Sequence, residues 1–496
     1  MNQLQNGNTP PCTLVIFGAS GDLTERKLIP ALHSLDCENL LPPALQVLGV
    51  ARTPLSDEEF REKVRQGVKE HGRFEPEVWE PFAERLHYLP GSYADPETFL
   101  ELEDRLKHQE EVAGTQGNYM FYLAIPPVVY SSVIKQLGEA GLNRSDTGWS
   151  RIVIEKPFGT DLESARQLNE EIHEYFDESQ VYRIDHYLGK ESVQNILAFR
   201  FANFIFEEMW NRKFIDHIQI SALEAIGIEH RGEYYEKSGV VRDMVQNHLL
   251  QLLSLTTMDP PMSLEAKALR DEKLKVLQAI KPLQMEQVVL GQYTSYRKEP
   301  DVAPDSNTPT YAALKVYVDS WRWQGTPFYL RAGKCLARKA TEIVVQFKQV
   351  PKQIFPENKH LEVNHLSLCI QPDEGTHLSF ELKVPGAGMR TKSVEMDFHY
   401  EEYFGQKALP EAYERLLLDA LQGDQSLFGR SDEIEQAWEL VTPLLKEWEG
   451  MENPPLIFYE DGSLGPEKSK ELIERDGRTW LLLCSEHPKP PEEERM

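Results

Sequence analysis

TLVIFGASGDLTERKL, residues 13–28, is the stretch on which the fold turns. The apolar run Thr13 to Phe17 opens directly into Gly18, Ala19, Ser20, Gly21, Asp22 and Leu23, and a helical pattern carrying Arg26 and Lys27 follows. Glycines at a strand-to-helix turn let the backbone approach a pyrophosphate, and the helix start offers free N–H groups and a positive dipole end. The pattern is GxxG and not the full GxGxxG, so on its own it also reads as an ordinary tight βα turn.

The surroundings extend the pattern. Further apolar runs stand at 45–51, 85–89, 118–125, 151–155 and 180–184, and helical patterns at 23–35, 56–71, 97–112, 127–140 and 161–176. Ser56 with Glu59 has the spacing of a capping box, and Asp161 that of an N-cap. Short apolar runs alternating with amphipathic helices predict an α/β, Rossmann-type, doubly wound parallel sheet. From about residue 200 the period becomes two. Leu378, Phe380, Leu382 and Val384 alternate with polar residues, as do Val394, Met396, Phe398 and Tyr400. That predicts an α+β domain with a large, mostly antiparallel sheet. Helices at 239–256, 263–280, 408–422 and 432–449 are expected to cover one face of it. The expected organisation is a disordered tail at 1–11, a nucleotide-binding domain at 12–191, a second domain at 192–486 and a disordered tail at 487–496.

Composition narrows the class. The chain has 496 residues, 41% hydrophobic and 27% charged, which suits two globular domains. No apolar run approaches the roughly 18–20 residues of a membrane span. The net charge of -27 argues against nucleic acid or an anionic membrane as partner. The N-terminal residues MNQLQNGNTPPC have neither a basic nor an apolar leader region, so a cytoplasmic location is expected. The five cysteines, Cys12, Cys37, Cys335, Cys369 and Cys484, are scattered and form no CxxC. This argues for reduced thiols and against a zinc site, so no metal is expected.

In so acidic a chain, local clusters of cations carry information. RIDHYLGKE, 183–191, packs Asp185, His186, Tyr187 and Lys190 together, with His186 and Lys190 four apart. On a helical turn those two share a face and suit a phosphate; a polar surface loop is the alternative. Arg52 follows the second strand where NAD-specific sheets tend to place an acid, which favours NADP as cofactor. Lys156-Pro157 follows the strand at 151–155, at an edge where open α/β sheets bind ligands; a plain strand terminator is the alternative, and the proline suits a cis bond.

GVVRDMVQNHLLQLLSL, 239–255, is an amphipathic helix with His248 on its apolar stripe. A lone histidine there reads first as a core residue. Dehydrogenation of an alcohol, however, needs a base near neutrality, commonly oriented by a carboxylate, and Asp185 is a candidate for that partner. Glu224 suits sugar hydroxyls or a solvated strand end. Arg331, Lys334, Arg338 and Lys339 form a third cationic cluster, read either as an anion contact or as a solvated hairpin.

Taken in order, GASGDLTERKL, YLAIPPVVY, IEKPFG, RIDHYLGKE, RDMVQNHLLQ and LRAGKCL resemble the glucose-6-phosphate dehydrogenase family, from about residue 13 to YEDGSLGPEKS at 459–469. The resemblance implies oxidation of glucose 6-phosphate at C1 with hydride passing to NADP, and a homodimer or homotetramer whose subunits meet through the broad sheet. It implies His248 as general base and Asp185 as its carboxylate. His186, Tyr187 and Lys190 would hold the phosphate, Glu224 and Asp243 the glucose hydroxyls, and Lys156 both ligands. Lys334 and Lys339 would complete the substrate set. Gly18, Ala19, Ser20, Gly21, Asp22, Leu23, Lys27, Arg52 and Tyr130 would meet NADP. The chain departs from the family in having Lys339 where Arg is frequent, and Leu464 for a tryptophan. Ala340 and Cys369 replace cations that hold a second, structural NADP in some members, so no second cofactor is expected. The remaining readings are a dehydrogenase of another aldose or aldose phosphate, and a catalytically silent regulatory homologue.

Overall fold

The computed structural model describes residues 9–355, 361–405 and 409–484, so most of the two expected tails lies outside the described residues. The chain divides into two compact units. One comprises the residues through Lys190 together with 261–270 and 410–435; the other comprises 191–260, 271–409 and the residues from Gln436.

The first unit is built on strands β1 (Thr13–Phe17), β2 (Gln46–Ala51), β3 (Leu86–Pro90), β4 (Tyr119–Leu123), β5 (Ser150–Ile154) and β6 (Val181–Ile184). They pair in parallel in the order β6-β5-β4-β1-β2-β3. Every residue of β1, β2 and β4 is buried, as expected where helices cover both sheet faces. The caps form as predicted. Glu59 N–H donates to Ser56 Oγ at 3.2 Å while Ser56 N–H donates to Glu59 Oε2 at 2.8 Å, and Asp161 Oδ1 accepts from Ser164 N–H at 2.8 Å.

A late segment returns to this unit. The helix Ala412–Gln422 belongs here, not over the antiparallel sheet as its amphipathic pattern suggested. Two groups hold it: Arg151 donates to the carbonyls of Ala420 and Leu421 at 2.8 Å each, and Gln425 donates to the Val181 carbonyl at 3.0 Å. A short strand at Phe428–Gly429 then adds antiparallel to β6. An apolar stripe shows that a helix packs but not against which sheet.

The second unit carries, among the described residues, a nine-stranded sheet. Its strands are β7 (Ile215–Leu223), β8 (Val288–Tyr293), β9 (Tyr311–Tyr317), β10 (Pro327–Gly333), β11 (Ala340–Phe347), β12 (His365–Gln371), β13 (Gly375–Lys383), β14 (Thr391–His399) and, after the short strand at 428–429 (β15), β16 (Ile457–Tyr459). The order is β14-β13-β12-β11-β7-β10-β9-β8-β16. Neighbours are antiparallel except β7 with β10 and β8 with β16.

Residues 476–484 form a strap across this sheet. Asp476 pairs with Lys315 of β9 at 2.6 Å, and Arg478 grips Asp216 of β7 through Nε and Nη2 at 2.7 and 3.1 Å. Gln219 of β7 accepts from Leu481 N–H and donates to the Thr479 carbonyl, both at 2.8 Å. Glu342 of β11, fully buried, accepts from the N–H groups of Leu483 and Cys484 at 3.0 and 2.9 Å. Cys484 then joins Cys369 of β12 in a disulfide.

Two expectations change here. The five cysteines are not all free thiols: sheet packing brings Cys369 and Cys484 to a Cα separation of 5.5 Å across 115 residues. Closing a loop of that length removes roughly 4–5 kcal/mol of unfolded-chain entropy in the loop-closure picture. Arg331 is not a cation waiting for an anion. It lies inside β10, buried, with Nε donating to Ser221 Oγ at 2.9 Å, Nη2 to the Leu481 carbonyl at 3.2 Å, and its guanidinium 4.3 Å from the Trp480 ring centre. Strand alternation, not the charge count, decides where it points.

Candidate active site

Because the first sheet is parallel, the C-terminal ends of β1, β2, β5 and β6 share one edge, and four sequence motifs leave from it. Gly18 follows β1 with φ +90°; a Cβ there would stand 2.0 Å from the Ala124 carbonyl oxygen, so this turn accepts no side chain. Gly18 N–H donates to the Val50 carbonyl at 2.9 Å, and Thr24 Oγ1 to the Gly18 carbonyl at 3.2 Å, so the loop is held from both sides. Ser20 Oγ lies 3.0 Å from Thr53 Oγ1, tying the glycine turn to the end of β2, where Arg52 is exposed. The turn sits at the β1/β4 switch of the strand order, where doubly wound sheets take up dinucleotides. A backbone cradle that excludes a Cβ fits a pyrophosphate.

Other expected cofactor residues are placed differently. Asp22 pairs with Arg26 at 2.8 Å and Lys27 with Glu411 at 3.2 Å, all exposed. Tyr130 is wholly buried, and its hydroxyl donates to the Glu155 carbonyl at 3.0 Å. It braces the strand end that carries Lys156. Lys156-Pro157 is cis. Glu155 is held by the hydroxyls of Tyr122 and Tyr413 at 2.6 and 3.1 Å, and burial raises its carboxyl above the usual range.

RIDHYLGKE leaves β6 on the same edge. Asp185 Oδ1 accepts from Tyr187 N–H at 3.0 Å, the His186 and Tyr187 rings meet edge to face at 5.0 Å, and Lys190 Nζ lies 5.6 Å from the Tyr187 ring centre. The Lys190 N–H donates to the Tyr187 carbonyl at 3.1 Å, so the segment is a turn. A Cβ at Gly189 would stand 2.5 Å from the Ala412 carbonyl, so the helix Ala412–Gln422 seats this turn.

In the second unit, β7 and β10 run parallel with Leu223 opposite Gly333, so the next residues on each, Glu224 and Lys334, emerge side by side. Their side chains form an ion pair. Tyr459 donates to the Lys334 carbonyl at 2.7 Å and Lys334 N–H to the Thr310 carbonyl at 3.1 Å, fixing the turn. Lys339 is exposed, on the connection before β11.

The expected helix at 239–256 is not uniform. Val241–Leu249 is π-helical and Leu250–Thr257 is α-helical. A π-helix bonds residues five apart through the backbone, so Asp243 and His248 lie nearer to one side of this segment than the roughly 140° an α-helix would set between them. Both are buried, and Tyr234 donates to Asp243 Oδ1 at 3.2 Å.

Sequence reasoning missed Tyr235. It is buried beneath the Lys334 ammonium, 5.4 Å from its ring centre. Burial, then the Asp243 carboxylate, push its phenol well above the usual value, so it stays neutral. Its only sequence signal was the doubled tyrosine in EYYEK, which fits no motif.

A glycine turn at the switch point, with an Asp-His-Tyr-Lys loop along the same sheet edge, defines a dinucleotide-dependent oxidoreductase. Comparison with known proteins narrows the class. The glucose-6-phosphate dehydrogenase NAD-binding domain family matches residues 15–195, and the glucose-6-phosphate dehydrogenase C-terminal domain family matches 197–481. Glucose-6-phosphate 1-dehydrogenase of Aggregatibacter actinomycetemcomitans is 47% identical over 483 residues, covering 95% of this chain and 97% of that protein. The Arabidopsis thaliana protein named glucose-6-phosphate 1-dehydrogenase 6, cytoplasmic, is 45% identical, covering 94% and 91%. A solved glucose-6-phosphate dehydrogenase in complex with its substrate glucose 6-phosphate superposes with a TM-score of 0.89 at 37% identity, covering 96% of this chain and 99% of that one. The chain belongs to the glucose-6-phosphate dehydrogenase family.

Proposed function

We propose that this chain oxidises D-glucose 6-phosphate at C1 to 6-phospho-D-glucono-1,5-lactone with NADP as acceptor, the first step of the oxidative pentose phosphate pathway. One observation carries the reading beyond family membership: the glycine turn, Lys156 and RIDHYLGKE all leave the same edge of one parallel sheet. A nucleotide cradle and an anion loop are thereby offered along one line.

In this reading His186, Tyr187 and Lys190 bind the phosphate. Glu224, Asp243 and Lys334 orient the sugar hydroxyls, with Lys339 as an outer contact. His248 takes the C1 hydroxyl proton, and Asp185 is the carboxylate that stabilises the resulting imidazolium. Lys156 touches both ligands. The bound nicotinamide supplies the hydride acceptor. Arg52, standing where an acid would select NAD, supports NADP, whose 2′-phosphate it suits. The backbone of Gly18 to Leu23 holds the pyrophosphate, with Lys27 beside it. A homodimer or homotetramer in the cytoplasm completes the reading; the name of the plant relative supports that location.

The test is direct. Purified protein mixed with NADP and glucose 6-phosphate should generate the absorbance of reduced nicotinamide, and NADP with other aldose phosphates should generate much less. Binding of NADP without reduction would replace the enzyme by a silent regulatory homologue.

A further inference from the structure

Three side chains that the reaction does not use converge at the end of the C-terminal strap. The ligand atoms of Cys369, His377 and Cys484 lie within 4.8 Å of one another, and all three residues are at least 97% buried. The fold brings them together. His377 on β13 stands directly opposite Ser367 on β12, Cys369 is two residues further along the same strand face, and the strap delivers Cys484 over both. The Ser367 hydroxyl lies 3.1 Å from the Cys484 sulfur. The His399 ring packs edge to face on His377 at 4.9 Å and is itself paired with Asp373 at 3.1 Å.

We propose that Cys369, Cys484 and His377 form a thiolate–imidazole site for one zinc ion in the reduced protein, so that metal fastens the strap when the disulfide is open. A disulfide alone requires no imidazole at its side. Zinc takes tetrahedral sulfur and nitrogen ligands at about 2.3 and 2.0–2.1 Å, which sets donor atoms about 3.5–3.8 Å apart, inside the observed envelope. Two thiolates neutralise the dication, so the cluster is burial-compatible, whereas a bare buried charge is not. A CxxC pair achieves this proximity locally; here the sheet achieves it across 115 residues.

The chemistry balances in two steps. A dithiol reductant opens the disulfide, giving two thiols and its own disulfide. Zinc then displaces one proton from each thiol, forming two Zn–S bonds, and His377 donates a ring nitrogen lone pair. Both end states, disulfide and zinc dithiolate, tie residue 484 to residue 369.

The experiment uses the full chain. Protein reduced with a phosphine and freed of metal is titrated with zinc against a competing chromophoric chelator, and in parallel with cobalt. Reduced protein should bind one zinc per chain and show thiolate-to-cobalt charge-transfer absorption. Protein oxidised with diamide, which is folded and needs no mutation, should do neither. Cys369→Ser/Cys484→Ser should match the oxidised form. His377→Gln should still form the disulfide but bind zinc at least roughly tenfold more weakly. Equal zinc uptake by reduced and oxidised protein, or unchanged affinity in H377Q, overturns the three-ligand site.

Discussion

Glu224 and Lys334 meet as an ion pair because the two parallel strands that precede them end in register, Leu223 against Gly333. The pair is lopsided. The Lys334 side chain is 9% exposed and that of Glu224 is 32% exposed.

That asymmetry sets the cost of breaking it. Glu224→Ala leaves a buried ammonium without its carboxylate and should cost about 1–3 kcal/mol of stability. Lys334→Met leaves a carboxylate that water still reaches and should cost less. Denaturant midpoints of the two variants decide the matter, and a costlier Lys334→Met would refute the ordering. Both should raise KM for glucose 6-phosphate.

His248→Asn should lower kcat roughly a hundred- to ten-thousandfold with little change in substrate affinity, since a general base acts mainly in the transition state. Steady-state kinetics with a binding measurement separates the two. A variant that keeps wild-type turnover removes the base assignment.

Arg52→Ala should weaken NADP by roughly tenfold or more while sparing NAD, because the lost guanidinium pairs with a phosphate that NAD lacks. Parallel KM values for the two nucleotides check this, and equal losses would refute it.

Glu414, on the helix Ala412–Gln422, has its carboxyl pushed up to about 7 by burial. The folded state therefore binds a proton that the unfolded chain has already released above its ordinary value of about 4.3. Stability from this group is present below that value and is lost as pH rises toward 7. Glu414→Gln keeps the shape and removes the loss, so its melting temperature should gain on wild type between pH 5 and pH 8, within roughly this window. A constant difference across that range would contradict the shift.

Much of this was legible along the chain. The turn after Phe17, the six parallel strands and the period-two strands β12 to β14 each carry a local pattern whose physics is short-ranged. What escaped is decided over distance. The amphipathic pattern of Val241–Leu249 is the same for α and π bonding, so the shared side of Asp243 and His248 emerges only with the backbone. Arg331 read as one of four clustered cations, yet its strand neighbours turn it inward toward Ser221 and Leu481. Cys369 and Cys484 carry no spacing signal, because 115 residues of chain separate them where a motif would need two.

The strap has a bearing on how the protein is made. Residues 476–484 are translated after every strand they cross, from β9 to β12. While the nascent chain is still in the ribosome tunnel, Asp216, Gln219 and Glu342 await their partners. The broad sheet must therefore survive a provisional state, and a premature stop just before 476 would make that state permanent.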